Sequence, residues 1–333
     1  MGPQSLPDAA PRRDRLGSIT TTKKQYDPSK IKQTSLFQRD SLVDAADFAR
    51  PGPPIPGFGA FLDELPDILG GSDFKALVVA LTQAKTDRQP VGIGMGAHVI
   101  KVGCSPILID LMQRKLIKHV AMTGAGAVHD YEVSLAGKTS EDVGDQLAKG
   151  EFGMAKETTE GLNKAARKGH RLGIGFGRGL GETILQQKHP HADLSIAAEA
   201  VRLKIPISVH VALGTDIVHM HPSCDGASVG KAAMRDFHNF AEFIARIGHG
   251  VWMNVGCAVL LPEVLLKAVS MALNLGFDLS GMTTAGLDML RPYRVMENVV
   301  RRPPGNGLFL GGQHEVLLPI LRHAWLASLE EKK

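Results

Sequence analysis

Five short stretches carry the residues best suited to chemistry: GMGAH (94–98), TGAGAVHD (123–130), GTDIVHMHPSCDG (214–226), NVGCA (254–258) and TTAGLD (283–288). Gly, Ala and Thr dominate several of them, and such residues leave backbone N–H groups open to phosphate oxygens. Carboxylates stand close by at Asp130, Asp216 and Asp288 and suit the hydroxyls of a ribose. Together these features fit a dinucleotide. Neither GxGxxG nor GxxxxGK followed by Ser or Thr occurs, so the reading rests on loop composition. Tight strand-to-helix turns call for the same small residues.

A second constellation is His210, His219, His221, Cys224 and Asp225. In an extended segment His219 and His221, two apart, face the same side. By donor type the group suits zinc or another transition metal. The same histidines suit hydrogen bonding to a substrate or proton transfer, with Asp225 orienting a cationic group, or they are satisfied structural residues. Glu297, in LRPYRVMENVVRRP with Arg301 and Arg302, handles a charged substrate or lies on a surface ion-pair face. GGQHEVL (311–317) reads as a cap before the last helix.

Alternating helices and strands must position these groups. SDFKALVVALTQAKTDRQ has apolar residues at helical spacing, with Ser72 as N-cap. VGIGMGAHVI opens as a strand into glycines, SPILIDLMQRKLI follows as a helix capped by Ser105 with Pro106 at its first position, and HVAMTGAGAVHD is a strand entering a small-residue loop. This βαβ unit favours a parallel sheet. TSEDVGDQLAKG, FGMAKETTEGLNKAARKG and DLSIAAEAVRLK predict helices, and IPISVHVALG a buried strand. RDFHNFAEFIARIG, GVWMNVGCAVLL, PEVLLKAVSMALNLG and LSGMTTAGLD continue the alternation, closed by the amphipathic HEVLLPILRHAWLASLEE. In RLGIGFGRGLGETILQQ glycine at every second position would weaken an interior strand, which implies close packing or close ligand approach.

The 333 residues allow one large α/β domain or two smaller ones. With 44% hydrophobic and 22% charged residues the chain has a globular composition. Nine of the 19 prolines fall in the first 66 residues, which read as an extended, locally basic arm before a domain over 67–333. The formal net charge of +4 leaves no footprint for nucleic acid. No apolar run approaches the length of a membrane span. Cys104, Cys224 and Cys257 lie far apart and read as reduced thiols, which with the lack of a secretory signal points to a cytoplasmic protein.

From about residue 72 to 330 the order of these loops resembles deoxyhypusine synthase and its relatives. LIKHVAMTGAGAVHD is similar to that family's TTAGG-type loop, matching at Thr123, Ala125 and Gly126, with His129 and Asp130 where the family has glutamates. KIPISVHVALGTD sets Thr215 and Asp216 on its NAD-contacting Thr-Asp, and VWMNVGCAV keeps only Gly256 of a glycine triplet. MTTAGLD resembles the family's cofactor loop at Thr284 and Ala285, with Asp288 on a ribose-binding aspartate and Gln313 on an adenosine-side aspartate. The resemblance implies a Rossmann-like, doubly wound, mostly parallel sheet that binds NAD in a homo-oligomer, a tetramer or dimer.

The family oxidises spermidine with NAD and passes an aminobutyl group through a lysine imine, which requires a primary amine. Its lysine segment, RPxEAVSWGK, is here RPYRVMENVVRRP, and arginine stays protonated at any working pH. The expectation is therefore an NAD enzyme acting on a polyamine-like amine or an alcohol, with His219, His221, Asp225 and Glu297 catalytic. Gly96, His98, Gly124, Asp130 and the matched residues would hold the cofactor, and the small-molecule substrate would be cationic. A non-catalytic NAD-binding scaffold and a metal-dependent hydrolase are the alternatives.

Overall fold

The structure is a computed structural model and describes residues 27–331. The basic stretch before residue 27 lies outside the described residues. A two-residue strand β1 (Val43–Asp44) belongs to the segment that precedes the main sheet. The remaining strands are β2 (Val91–Met95), β3 (His119–Thr123), β4 (Lys138–Thr139), β5 (Ile207–His210), β6 (Val251–Val255), β7 (Thr283–Asp288) and β8 (Asn306–Gly311). Six of them form one parallel sheet in the order β5-β3-β2-β6-β7-β8. The chain starts at the centre with β2, runs outward to β5, and returns to β6 on the other side of β2. That reversal is the topological switch point of a doubly wound α/β fold.

Alternation along the strands builds two cores. Val91, Ile93, Met95, Val120, Met122, Val251, Met253, Val255, Leu287 and Leu308 face one side. Helices Leu69–Thr86, Ser105–Gln113 and His314–Glu331 cover it with Leu77, Leu81, Leu108, Met112, Leu318 and Trp325. The opposite side presents Ala121, Trp252 and Phe309 to Phe240, Ile244, Leu261 and Leu265 of helices Gly226–Ala245 and Leu260–Asn274. Gly92 and Gly94 admit the Trp252 indole there: a Cβ at Gly94 would stand 2.5 Å from that ring.

Several local expectations shift. The first long helix begins at Leu69, so Ser72 lies inside its first turn, and Ser105 is itself helical, with Cys104 ahead of it. TGAGAVHD is the start of helix Gly124–Ala136, capped by Thr123, whose Oγ1 accepts from Gly126 N at 3.1 Å. TTAGLD is not a loop but the whole of β7, so Thr284 and Ala285 sit inside the sheet. β8 was not anticipated at all. Gly173 ends one helix and Gly175 precedes the next, both at positive φ, while Gly177, Gly179 and Gly181 lie inside helix Phe176–Gln187, where close packing explains them. A Cβ at Gly177, Gly179 or Gly181 would meet the backbone oxygens of Ile207, Ala165 or Ala197 at 2.5, 2.6 and 2.2 Å.

Residues 34–48 are fastened along the domain. β1 pairs antiparallel with β4, Thr34 bridges Ala155, and Leu36 and Phe48 are buried. Arg39 reaches inward to Glu132 and Glu141, at 3.0 and 3.3 Å. Among the described residues no helix is long and apolar enough to cross a membrane.

Candidate functional site

Ligands of open parallel sheets sit beyond the carboxyl ends of the strands, at the switch point. Here that point lies between β2 and β6. Gly96 N donates to Val255 O at 2.9 Å, and a Cβ on Gly96 would stand 2.0 Å from Gly256 O. Gly256, in the left-handed region at φ +60°, turns the chain toward helix Leu260–Asn274 and donates to Leu287 O at 2.9 Å. His314 packs over this turn, its ring 2.9 Å from the place of a Cβ on Gly256. Its Nε2 lies 3.2 Å from Leu287 O, and its buried Nδ1 has no partner.

His98 opens the short helix after β2, edge-on to His314 with ring centroids 5.6 Å apart. Burial first, and the neighbouring His314, hold the His98 pKa below the ordinary imidazole value. Asp288 ends β7, buried, with Oδ1 accepting from Leu290 N at 3.3 Å. Gln313, exposed, caps the final helix through its carbonyl, which accepts from Leu317 N at 2.8 Å. Gly96, His98, Gly256, Asp288 and Gln313 thus belong to four neighbouring strand ends.

Beside this crevice, over β3 and β5, lies a cavity of about 240 Å³ lined by Lys101, Ala125, His129, Thr215 and Asp216 among others. Burial pushes the Asp216 carboxyl up to about 6, and its Oδ2 is buried without a partner. This carboxylate lies over Gly124, where a Cβ would meet it at 2.1 Å. A phosphate at the first turn of that helix would therefore meet like charge when Asp216 is ionised. Thr215 turns away, its hydroxyl donating to Ala212 O at 2.7 Å.

Other predicted residues are already engaged. Asp130 is fully buried and accepts from Ser195 Oγ, Ile196 N and Ala197 N at the start of helix Ile196–Arg202. Desolvation lifts its pKa to about 6. The Thr284 hydroxyl donates to Val299 O of the π-helical turn that packs on β7. Asp225 caps helix Gly226–Ala245, accepting from Ala227 N, Ser228 N and Ser228 Oγ. Glu297 pairs with Arg301 and Arg302 in the π-helical turn Met296–Arg301.

The histidine constellation divides. His210 Nε2 meets Ser208 Oγ at 3.0 Å, and its ring stands edge-on to Phe240. His219 Nδ1 accepts from Gly214 N, while His221 Nδ1 meets Ser223 Oγ at 2.7 Å and accepts from Ser223 N. Both keep a buried Nε2 without a partner, and burial lowers both pKa values. Because Nδ1 of each accepts a backbone N–H, the neutral ring carries its proton on Nε2, which makes that free nitrogen a hydrogen-bond donor. Among the described residues no three His, Cys, Asp or Glu side chains gather to hold a metal ion, so the donor set expected for a hydrolase does not form.

Sequence reasoning missed His314 at the switch point, and Lys101, Arg39, Glu132 and Glu141 around the cavity. His314 was legible only as a helix cap. Nothing in the local sequence of Arg39 points to carboxylates that follow it by 93 and 102 positions.

No protein-family model matches the chain, and no curated protein matches it in sequence. Solved structures do. The ternary complex of AgrE with ornithine and NAD+ has a TM-score of 0.50 at 13% identity, covering 79% of this chain and 34% of that one. ArgZ, an arginine dihydrolase from the ornithine-ammonia cycle in cyanobacteria, gives 0.46 at 16%, over 78% and 33%. A putative deoxyhypusine synthase from Entamoeba histolytica gives 0.45 at 10%, over 78% and 88%. The chain spans about a third of AgrE and ArgZ, and the likeness to AgrE shows a shared fold.

Proposed function

We propose that this chain is an NAD-dependent enzyme of the deoxyhypusine synthase-like group. It acts by oxidation or group transfer on a polyamine-like amine or an alcohol, and not as a standard deoxyhypusine synthase. The observation that carries this is the crevice between β2 and β6. There Gly96 and Gly256 bring backbone to backbone, with His314 over the turn and the buried Asp288 beside it. These residues fit the group by the space they leave rather than by free glycine N–H groups, since Gly96 N and Gly256 N already donate to Val255 O and Leu287 O: one Asp288 oxygen remains for a ribose hydroxyl, and His314 Nδ1 is a buried polar atom without a partner. The carboxylate over Gly124 favours the β2–β6 crevice over the TGAGA turn for the phosphates.

NAD, when bound, supplies the hydride acceptor. The chain's own part is to orient the substrate and take its proton. The Nε2–H of His219 or His221 would donate a hydrogen bond to the substrate, and either ring would take the proton at Nδ1 once its bond from Gly214 N or Ser223 N is released. Asp225 and Glu297 would contribute field rather than a direct contact, since each is held by its own neighbours. The absence of a lysine from LRPYRVMENVVRRP supports a reaction without the family's imine at that place. We extend the proposal to a homo-oligomer in the cytoplasm, with an arm over 1–66 and the cofactor domain over 67–333.

The test is calorimetric titration of the full chain with NAD, followed by NADH absorbance with polyamines, ornithine and simple alcohols. Saturable NAD binding is expected, weakened about tenfold in Asp288→Ala by loss of one charged hydrogen bond. The double variant His219→Ala/His221→Ala should bind NAD and turn nothing over. Absence of NAD binding would overturn the proposal, and binding without hydride transfer to any such substrate would make the chain a non-catalytic NAD protein.

A further inference from the structure

At the amino edge of the sheet, the end remote from the proposed cofactor crevice, lies a cleft of about 750 Å³. β2 is five residues long, so the two edges stand about 17 Å apart. Pro90, Lys118 and Pro206 mark its floor at the starts of β2, β3 and β5. Its volume is that of a small-molecule site, for which about 300–1,000 Å³ is usual. Five cations line it, Lys118, Arg178, Lys204, Arg235 and Arg246, against a single carboxylate, Glu242.

That carboxylate pairs with Arg246 at 3.0 Å, and Arg178 pairs with Glu182 on its own helix. Lys118, Lys204 and Arg235 make no salt bridge among the described residues, and the buried Asp236 adjacent to Arg235 accepts instead from Gly177 N and Val209 N. Helix ends account for only part of this charge. Arg246 and Lys204 follow the C-termini of helices Gly226–Ala245 and Ile196–Arg202, where cations are favoured. Arg235 is mid-helix, Lys118 precedes a strand, and Arg178 stands in the first turn of helix Phe176–Gln187, the wrong end for a cation.

The inner wall is apolar and ringed. Phe243 and His119 stack with centroids 4.7 Å apart and 29° between planes. Ile174, Val201 and Ile205 extend the wall. His119 is fully buried, its Nε2 meets Ser208 Oγ at 3.2 Å, and its Nδ1 has no partner. A plain inorganic anion has no use for such a wall.

We propose that this cleft is a second ligand site, taking an organic polyanion of the nucleoside-phosphate class. Phosphates would lie among Lys118, Lys204 and Arg235, and the flat base against the Phe243 side.

The experiment is calorimetry of the full chain with magnesium-free ATP, inorganic tripolyphosphate and a short oligo-thymidylate. ATP should bind saturably and more weakly as salt rises, since its contacts are solvent-accessible charges. Lys204→Ala/Arg235→Ala should weaken it about tenfold or more, because each cation supplies charge-assisted hydrogen bonds. Both residues are exposed, so the fold should persist, checked by circular dichroism. Phe243→Leu should weaken ATP but not tripolyphosphate, and Asp288→Ala should leave ATP binding unchanged.

The proposal is overturned if the wild type shows no saturable ATP binding, or if the double variant binds ATP as the wild type does. Tripolyphosphate as tight as ATP would refute the ring contact. Oligo-thymidylate binding tighter than ATP would make the occupant a macromolecule. Loss of ATP binding in Asp288→Ala would move ATP to the opposite edge.

Discussion

Replacing Arg39 by Met removes a cation that the fold has enclosed between two carboxylates. The three side chains are only 4%, 1% and 6% exposed. Glu132 would keep hydroxyl donors from Thr139 and Thr158 at 2.6 and 2.9 Å, and Glu141 the Gly153 N–H at 3.1 Å. Glu141 Oε2 has no hydrogen bond even now. Breaking a buried pair in this way costs about 3–5 kcal/mol, most of it the uncompensated charge left behind.

The loss should depend on pH in a defined direction. Burial already lifts Glu141 above the usual carboxylate range, and Arg39 is the largest influence holding it down. Without Arg39 the folded pKa rises further, so the native state binds more protons than the unfolded state just above the unfolded pKa. Stability is then retained at low pH and falls as pH rises. Urea unfolding followed by the fluorescence of buried Trp252 and Trp325 measures this directly. The Arg39→Met deficit should be about 3–5 kcal/mol near neutrality and shrink by at least ~1 kcal/mol on going down two pH units. A variant within ~0.5 kcal/mol of wild type at neutral pH, or a deficit that widens on acidification, would refute the reasoning. Because residue 39 precedes the proposed 66/67 boundary, the same measurement tells whether the arm unfolds with the domain.

Two further substitutions probe the sheet. Gly96→Ala should cost at least ~2–3 kcal/mol, since its Cβ meets the Gly256 carbonyl rather than a side chain that can turn away; NAD binding should fall with it, and a variant as stable as wild type would refute the contact. Asp236 Oδ2 accepts from Gly177 N and Val209 N at 2.8 Å each, yet burial pushes its pKa up to about 7. Stability should therefore decline as pH rises from about 4 to 7, and Asp236→Asn should flatten that decline in thermal melts; an unchanged slope would refute it.

The sheet was largely legible because buried parallel strands such as HVAMT and VWMNV are short apolar runs between helical patterns. β8, with NGLFLG separated by four residues from a π-helical turn, carries only three strongly apolar residues and escaped. The glycine run misled because a period of two suits a strand, whereas here three helical glycines each meet a different stretch of backbone. At the site, the small residues at 96 and 256 were found from composition. Asp130 shows the limit of that method: a carboxylate after a small-residue turn suits a ribose, but this one points back to cap a neighbouring helix. Which way a side chain turns is decided by packing that adjacent letters do not record.

The Gly96–Gly256 contact also constrains how the molecule can move. Backbone touching backbone between the two central strands leaves nothing compressible at the seam, so the halves of the sheet cannot part or pivot there without losing hydrogen bonds. A closing over a ligand would then fall to a loop such as the long connection after β5, residues 211–225, which is partly exposed and carries both His219 and His221. In this fold the seam would be the fixed jaw of the clamp, and the histidine-bearing loop its moving part.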